Sequence, residues 1–543
     1  MMIRTASLIF ALYLSIFGAV AQKSLLTVAE KSEFKSTSAY ADVTSFISGL
    51  LKMSPYVRVE SIGTSTEGRD IPLLVLADPM VKSPSALLND KRMVVYIQAN
   101  IHAGEVEGKE ASLMLARDIL ADKKPALLKD LVILICPNFN PDGNEQISPK
   151  NRTHQVGPEN GVGVRHNGQM LDLNRDGMKA ESPEVRGLLA NVFNKWDPYI
   201  FVDCHTTNGS YHVEPVTFTW MVSPNGDRSL VNYMSDKMMP EVNRTLLTKY
   251  NVENCFYGEF ANMMDPGRGW FFDASEPRYI VNYFGLRNRL GILNENYVYA
   301  DFKSRVWGCY YLLKSIAEYA VINRETIKSI ISEADKKTIS RGESPTVNDS
   351  IPYEYKVRPL PGLVTIKTYV AEQYTDPNGR RGFRKTDRRQ DVTIPYFIDY
   401  YGTRKVRMPF AYVLTNNDPA VLNLLKLHGI KLEKLTSNVK VNAEKFTITE
   451  LKGAARLNQG HYSNTVKGSW AGEMTEFMKG AYIIRTGQPL ANVASYLLEP
   501  QTNDGLLLWN FFDKYLAPQW GGGFNPYPVY RIMDPANLPV VKI

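Results

Sequence analysis

Two kinds of apolar pattern alternate along residues 40–320. Uninterrupted runs rich in Val and Ile ("MVVYI" at 93–97, "LVILIC" at 131–136, "YIFV" at 199–202, "LGIL" at 290–293) predict strands buried on both faces. Between them, apolar residues recur at helical spacing over 40–53, 105–121, 183–194, 228–250 and 303–321. "YVRVESIGTSTEGRDIPLLVLAD" (56–78) reads as two strands around a Ser-Thr-Gly turn. Strands alternating with helices predict an α/β fold with a mixed, mostly parallel central sheet flanked by helices. In open sheets of this kind ligands bind beyond the carboxyl ends of the strands. His102, the turn-rich segment 138–143, His205 and Glu295 all stand just past such ends.

The pattern changes near residue 335. "SEADKKTISRGESPTVNDSIP" is polar and reads as helix-poor, which predicts a linker over 336–355. A catalytic domain would then occupy 22–335 and a β-rich domain 356–543. In the latter "LVTIKTYV", "DVTIPYFIDYY", "RMPFAYVLT" and "AYIIRTG" read as strands, and "DPAVLNLLKLHGIKLEKL" as a helix and strand joined at Gly429. "APQWGGGFNPYPVY" (517–530) has an aromatic-and-glycine character suited to packing under a loop, the favoured reading, or to ligand stacking.

Charge adds little: +7 over 543 residues is not a nucleic-acid footprint. The densest basic stretch, "FRKTDRRQD" (383–391), contains acids and reads as a solvated loop. The first 21 residues read as an export leader: Arg4, then the apolar "SLIFALYLSIFGAV", then "AVA" before Gln22. That apolar run is short for a membrane span. A secreted or periplasmic protein beginning near Gln22 is expected, with no stable membrane insertion. Of the four cysteines, Cys136 and Cys204 fall in strand-like segments and should be buried thiols, while Cys255 and Cys309 could form a disulfide. No CxxC occurs, which argues against cysteine-bound zinc.

Among seven histidines, His102 and His205 directly follow strand ends. A catalytic zinc needs three protein ligands and an open position. His102 and Glu105 can supply two from one strand-to-helix turn, and His205 a third from the next strand end, "VDCH". "LDLNRD" (171–176) offers Asp172 as a carboxylate that orients a ligating histidine, and Arg175 as a bidentate clamp for a substrate carboxylate. The same stretch reads equally as a solvated turn with a local ion pair. Glu295, after "LGIL", is a candidate base for metal-assisted hydrolysis.

Together "TSTEGRDIPLLVL", "HAGE", "NPDG", "DLNRD", "VDCH" and the Glu of "ILNENY" make residues 40–320 resemble the zinc metallocarboxypeptidases of the carboxypeptidase A and B type. The large C-terminal extension fits a bacterial-looking secreted subgroup. The resemblance implies one zinc per chain held by His102, Glu105 and His205, with Asp172 bracing His102. It implies that Asn174 and Arg175 hold the terminal carboxylate of a peptide substrate. Glu295 would take a proton from a water whose pKa the metal lowers to about 7, then deliver it to the leaving amine. Arg152 is the matching oxyanion arginine, with Arg165 its rival, and the family's mobile tyrosine has Tyr279 and Tyr283 as candidates. Asp176, beside Arg175, departs from the pattern and could neutralise it. Two other functions fit the residues: an amidase or deacylase on the same centre, cutting for example peptidoglycan-derived amides, and an inactive relative that binds peptides or glycans.

Overall fold

A computed structural model describes residues 25–543 of the protein, so the leader read at 1–21 lies outside the described residues. The strands of the N-terminal part are β1 (Val57–Thr64), β2 (Asp70–Leu76), β3 (Met93–Ala99), β4 (Leu131–Cys136), β5 (Ile200–Thr207), β6 (Val216–Trp220), β7 (Asn254–Phe256), β8 (Glu259–Phe260), β9 (Trp270–Phe271) and β10 (Leu290–Tyr297). One eight-stranded sheet has the order β1-β2-β4-β3-β5-β10-β6-β7. Its centre, β4-β3-β5-β10, is parallel, and β1, β2 and β6 join antiparallel. Every residue of β3, β4 and β5 is buried, as the uninterrupted apolar runs require. Helices Glu107–Ala121 and Phe302–Ile322 pack on each other and on the sheet.

The strand order decides where a ligand can sit. The chain leaves β3 for β4 on one side and then crosses over to β5 on the other. The carboxyl ends of β3 and β5 therefore flank a switch point, where the following loops diverge and leave a crevice.

The C-terminal part is β-rich, as expected: β11 (Ser350–Pro359), β12 (Val364–Thr375), β13 (Arg381–Ile394), β14 (Tyr396–Arg407), β15 (Ala411–Leu414), β16 (Glu433–Leu435), β17 (Val439–Gly453), β18 (Asn464–Phe477), β19 (Tyr482–Arg485), β20 (Val529–Ile532) and β21 (Val540–Lys542). Seven of these strands form a second sheet in the order β18-β17-β20-β15-β19-β16-β21. A four-stranded sheet, β11-β14-β9-β8, joins the two parts: Tyr396 and Phe397 pair with Trp270 and Phe271, and the Phe271 and Phe397 rings stack at 4.1 Å.

Three expectations are corrected. Residues 336–355 are not a linker: helix Arg324–Glu343 runs through the polar stretch, and β11 follows at Ser350. That helix buries Ile327, Ile331, Ala334, Thr338 and Gly342, a stripe at helical spacing, and one continuous core extends into the C-terminal part. The basic stretch 383–391 is largely exposed but lies in β13, one strand of the β12–β13 ribbon, not in a loop. Finally, all four cysteines are free and buried, and the neighbour of Cys309 is Cys204, Sγ to Sγ 4.0 Å, not Cys255. The segment 517–530 divides: Tyr527 is fully buried, while the Trp520 ring stands in solvent. Among the described residues no helix is long and apolar enough to cross a membrane.

Candidate metal centre and its cleft

β3 ends at Ala99 and the chain turns sharply through Asn100, which has φ +65. The Asn100 side-chain amide donates to Asn138 Oδ1 and Asn144 Oδ1, tying this turn to the "NPDG" segment. Glu105 N donates to His102 O at 2.9 Å, which closes the turn and brings the imidazole and the carboxylate together. Two glycines permit the approach of neighbouring segments. A Cβ on Gly104 would lie 2.5 Å from Arg152 Cδ, and one on Gly108 would lie 2.4 Å from Cys204 Cβ. The helix after the turn can therefore rest directly against β5.

The third member arrives along β5. Its pleat puts Asp203 and His205 on one face and Cys204 on the other. The parallel register sets Glu295 of β10 beside His205. His102 Nδ1 lies 3.1 Å from His205 Nδ1, and Glu105 Oε2 lies 3.2 Å and 3.0 Å from the two nitrogens. All three residues are buried. Ligand atoms about 2.0–2.1 Å from a tetrahedral zinc are separated by about 3.3 Å. The triangle is thus the size that a zinc ion needs, built from its preferred donor types, and it forms one of two groups among the described residues able to hold a metal. In the other, His212, Glu214 and Cys255, both carboxylate oxygens already accept backbone amides, from Lys367 and Val213.

Each imidazole has a carboxylate on its far nitrogen. His102 Nε2 donates to Asp172 Oδ1 at 2.9 Å, as the sequence led us to expect. His205 Nε2 lies 3.1 Å from Asp203 Oδ2, an ion-pair distance without hydrogen-bond geometry and a neighbour that the sequence reading missed. Such partners protonate the distal nitrogen and leave the Nδ1 lone pair for a metal. Burial works to raise the Glu105 carboxyl, but His102 and Arg152 outweigh it and hold it well below the usual range. Burial likewise opposes ionisation of Asp172, and His102, Arg165 and Arg175 overcome it. Burial alone would lower His205, yet Asp203 and Glu105 raise it well above normal. Glu295 is pushed up to about 8, first by burial and then by the negative Glu105, with His205 opposing. A bound cation would pull it back down.

These residues open on a cavity of about 710 Å³, lined by His102, Glu105, Glu295, Arg152, Arg165, Asn174, Arg175 and Tyr279, with Tyr257, Phe260 and Phe272 among the aromatic walls. Arg175 lies over the Tyr279 ring, Cζ 4.4 Å from its centroid. Tyr283, the other tyrosine considered, is fully buried and bonded to His428 Nδ1 at 2.8 Å, away from the cavity lining. Asp176 does not neutralise Arg175. Its carboxylate is fully buried and taken by Lys179 Nζ at 2.8 Å and by the Ser182 amide and hydroxyl. Arg152 spends every guanidinium nitrogen: on Gln155 Oε1, Glu105 Oε1 and the Thr206 carbonyl. Arg165 reaches Asp172 and, through Nη1, His102 Nδ1 at 3.1 Å.

Residues 43–227 match the zinc carboxypeptidase family. The chain is 21% identical over 494 residues to carboxypeptidase 2 of Trichophyton rubrum, spanning 86% of this chain and 81% of that protein. It is 28% identical over 212 residues to human carboxypeptidase D, spanning 38% of this chain and 13% of that one. A metallo-carboxypeptidase from Burkholderia cenocepacia of solved structure overlaps 52% of this chain and 69% of its own, at 17% identity and TM-score 0.38.

Proposed function

We propose that this chain, a zinc metallocarboxypeptidase over its matched region, removes single residues from peptides that carry a free C-terminal carboxylate. The observation that carries the reading is one cavity lined at once by His102 and Glu105 of the ligand triangle, by Glu295, and by Asn174 with Arg175. His102, Glu105 and His205 would hold one zinc per chain. When bound, zinc supplies Lewis acidity and a water of lowered pKa. Glu295, on the strand next to His205, accepts the proton of the attacking water and returns it to the leaving amine. Arg175, steadied against Tyr279, pairs with the α-carboxylate, an interaction that is both charge-assisted and geometrically selective.

For the oxyanion the contacts favour Arg165 over Arg152. Arg152 is committed to Glu105 and the Thr206 carbonyl, and so braces the ligand set. Arg165 is more exposed, and its Nη1 rests on the very nitrogen a metal would take, so metal binding would release that donor to the cavity. A developing oxyanion is stabilised by a fixed donor of this kind.

The test is a matched pair of peptides, free acid and C-terminal amide, digested by the zinc-loaded protein and followed by mass spectrometry. Single-residue release from the acid and slow reaction of the amide are expected. Equal rates or internal cuts would refute an exopeptidase and turn the reading to an amidase on the same centre. The leader-like residues 1–21 support export. The exported protein should then begin at or near Gln22, and an intact Met1 in it would contradict this.

A further inference from the structure

The segment that presents Asp172, Asn174 and Arg175 is held from outside by the C-terminal part of the chain. β17 and β18 form a long hairpin whose tip folds back at Asn458 and His461, each donating its amide to the other's carbonyl. The two residues between them are left-handed, Gln459 at φ +51 and Gly460 at φ +80. This tight two-residue turn aims the tip at the cleft. Gln459 Oε1 accepts the backbone N–H of Asp172 at 2.9 Å, across 287 residues of sequence. Two residues beyond it, His461 Nε2 meets Glu181 at 2.8 Å, and Glu181 meets Lys179 at 2.9 Å. The carboxylate-binding segment is therefore tied near both of its ends. The wall opposite Arg175 is tied as well. Arg278, which precedes Tyr279, donates its amide to Asp504 Oδ2, pairs its Nε with Asp504 Oδ1 at 2.8 Å and donates to the Asn503 carbonyl. A non-glycine residue held at positive φ carries a conformational cost, and here its side chain fixes the Asp172 N–H, while the Asn167 amide holds the carbonyl of the same peptide unit, Leu171 O, at 3.0 Å.

We propose that the C-terminal region completes the active site, with Gln459 as a positioning residue for the carboxylate-binding subsite. The proposal rests on the reading of Arg175 as the group that takes the substrate's terminal carboxylate. Gln459 fixes the Asp172 peptide, and Asp172 in turn sets the neighbouring Asn174 amide, which donates to its Oδ1 at 3.0 Å. Without that anchor the Arg175 guanidinium would sample more positions, and substrates that need it would bind less well.

The test uses the full-length, zinc-loaded chain. Gln459→Met keeps the side-chain length and removes the acceptor, while Gln459→Glu keeps an acceptor at the same reach. In Gln459→Met the KM for a free-acid peptide should rise by about two- to tenfold, the loss expected for one hydrogen bond, with kcat nearly unchanged. Hydrolysis of the matched amide should stay as it was, so the discrimination between the two narrows. Gln459→Glu should restore the wild-type KM, and Gln459→Ser gives the same readout as methionine should the latter not fold. A wild type that discriminates acid from amide, together with Gln459→Met and Gln459→Ser variants that keep its KM, would overturn the positioning role alone. An equal loss on acid and amide would overturn it too, because general structural damage predicts that pattern. A wild type indifferent to the amide would remove the premise and the proposal together.

Discussion

Replacing Asp172 by Asn should cost metal affinity rather than fold. The carboxylate accepts the Nε2–H of His102 at 2.9 Å and the Asn174 amide at 3.0 Å through Oδ1, and the Arg165 guanidinium at 2.8 Å through Oδ2. Every neighbour is a donor. An asparagine has the same shape but only one acceptor, and its NH2 group must face either the imidazole N–H or the guanidinium. Facing the imidazole, it can bond that ring only by reversing the tautomer, which puts the proton on Nδ1 where a metal must bind. Facing Arg165, it opposes a cation that is over a third exposed and still has Glu105 at 3.5 Å, so the penalty to folding is small. Loss of a carboxylate behind a ligating histidine typically weakens metal binding by about 10- to 100-fold, or about 1.4–2.7 kcal/mol. The assay is competition for zinc against a chelator of known affinity, with thermal unfolding of the metal-free proteins as control. Activity should return when zinc is added in excess. An Asp172→Asn protein that keeps wild-type zinc affinity would refute the argument that this carboxylate sets the tautomer of His102.

Three further outcomes are expected. Glu295→Gln should retain zinc and fold but lose about 100-fold or more in kcat, since an amide cannot accept the proton; near-normal turnover would remove Glu295 from the mechanism. Arg175→Ala should lower kcat/KM on free-acid peptides by roughly 10- to 1000-fold, the range for one or two charged hydrogen bonds, while leaving amides little changed; a uniform loss on both would contradict its assignment. The hydrogen bond to Glu181 raises the His461 pKa. A raised histidine contributes stability that is full below its unfolded value of about 6.5 and is lost as pH climbs through the folded one. Glu181, lowered despite its burial by His461 and Lys179, remains ionised further into acid and sets the lower edge of the window. The melting-temperature gap between wild type and His461→Ala should therefore be largest near pH 6 and shrink at alkaline pH, reflecting no more than about 1 kcal/mol for a partly solvated pair. A gap that does not change with pH would mean that the contact is not ionic.

The parts of this protein that sequence reveals are those where a local pattern and a tertiary role coincide. "MVVYI" and "LVILIC" could hardly be anything but strands covered on both faces, and His102 and His205 drew notice because they follow such strands. Asp203 lay in the same quoted stretch as His205. The two-residue pleat could have flagged it as facing the same way, but a carboxylate inside a buried strand carries no local signal of its purpose. Helix Arg324–Glu343 was missed because its apolar stripe is narrow, with small Ala334 and Gly342 among its buried positions, in an otherwise polar stretch. The proposed preference for Arg165 over Arg152 rests on the path of the loop 141–171, which has no period to read. No spacing rule could have paired Gln459 with Asp172, or Cys309 with Cys204, since both meetings are made by packing between distant elements.

β5 is bonded in register on both sides, to β3 and to β10, and its pleat alone separates the proposed ligand His205 from its neighbours Cys204 and Thr206. Gaining or losing one residue within this strand would turn the histidine to the opposite face and bring a thiol or a hydroxyl to the metal. The same change at the exposed turn Gly168–Met170 would leave the imidazoles on their faces, because Asp172 just beyond it is pinned by His102 and Gln459. Insertions and deletions should therefore be tolerated at that turn over evolutionary time and be purged from β5, so that descendants with different cleft rims would still count the same two residues from Asp203 to His205.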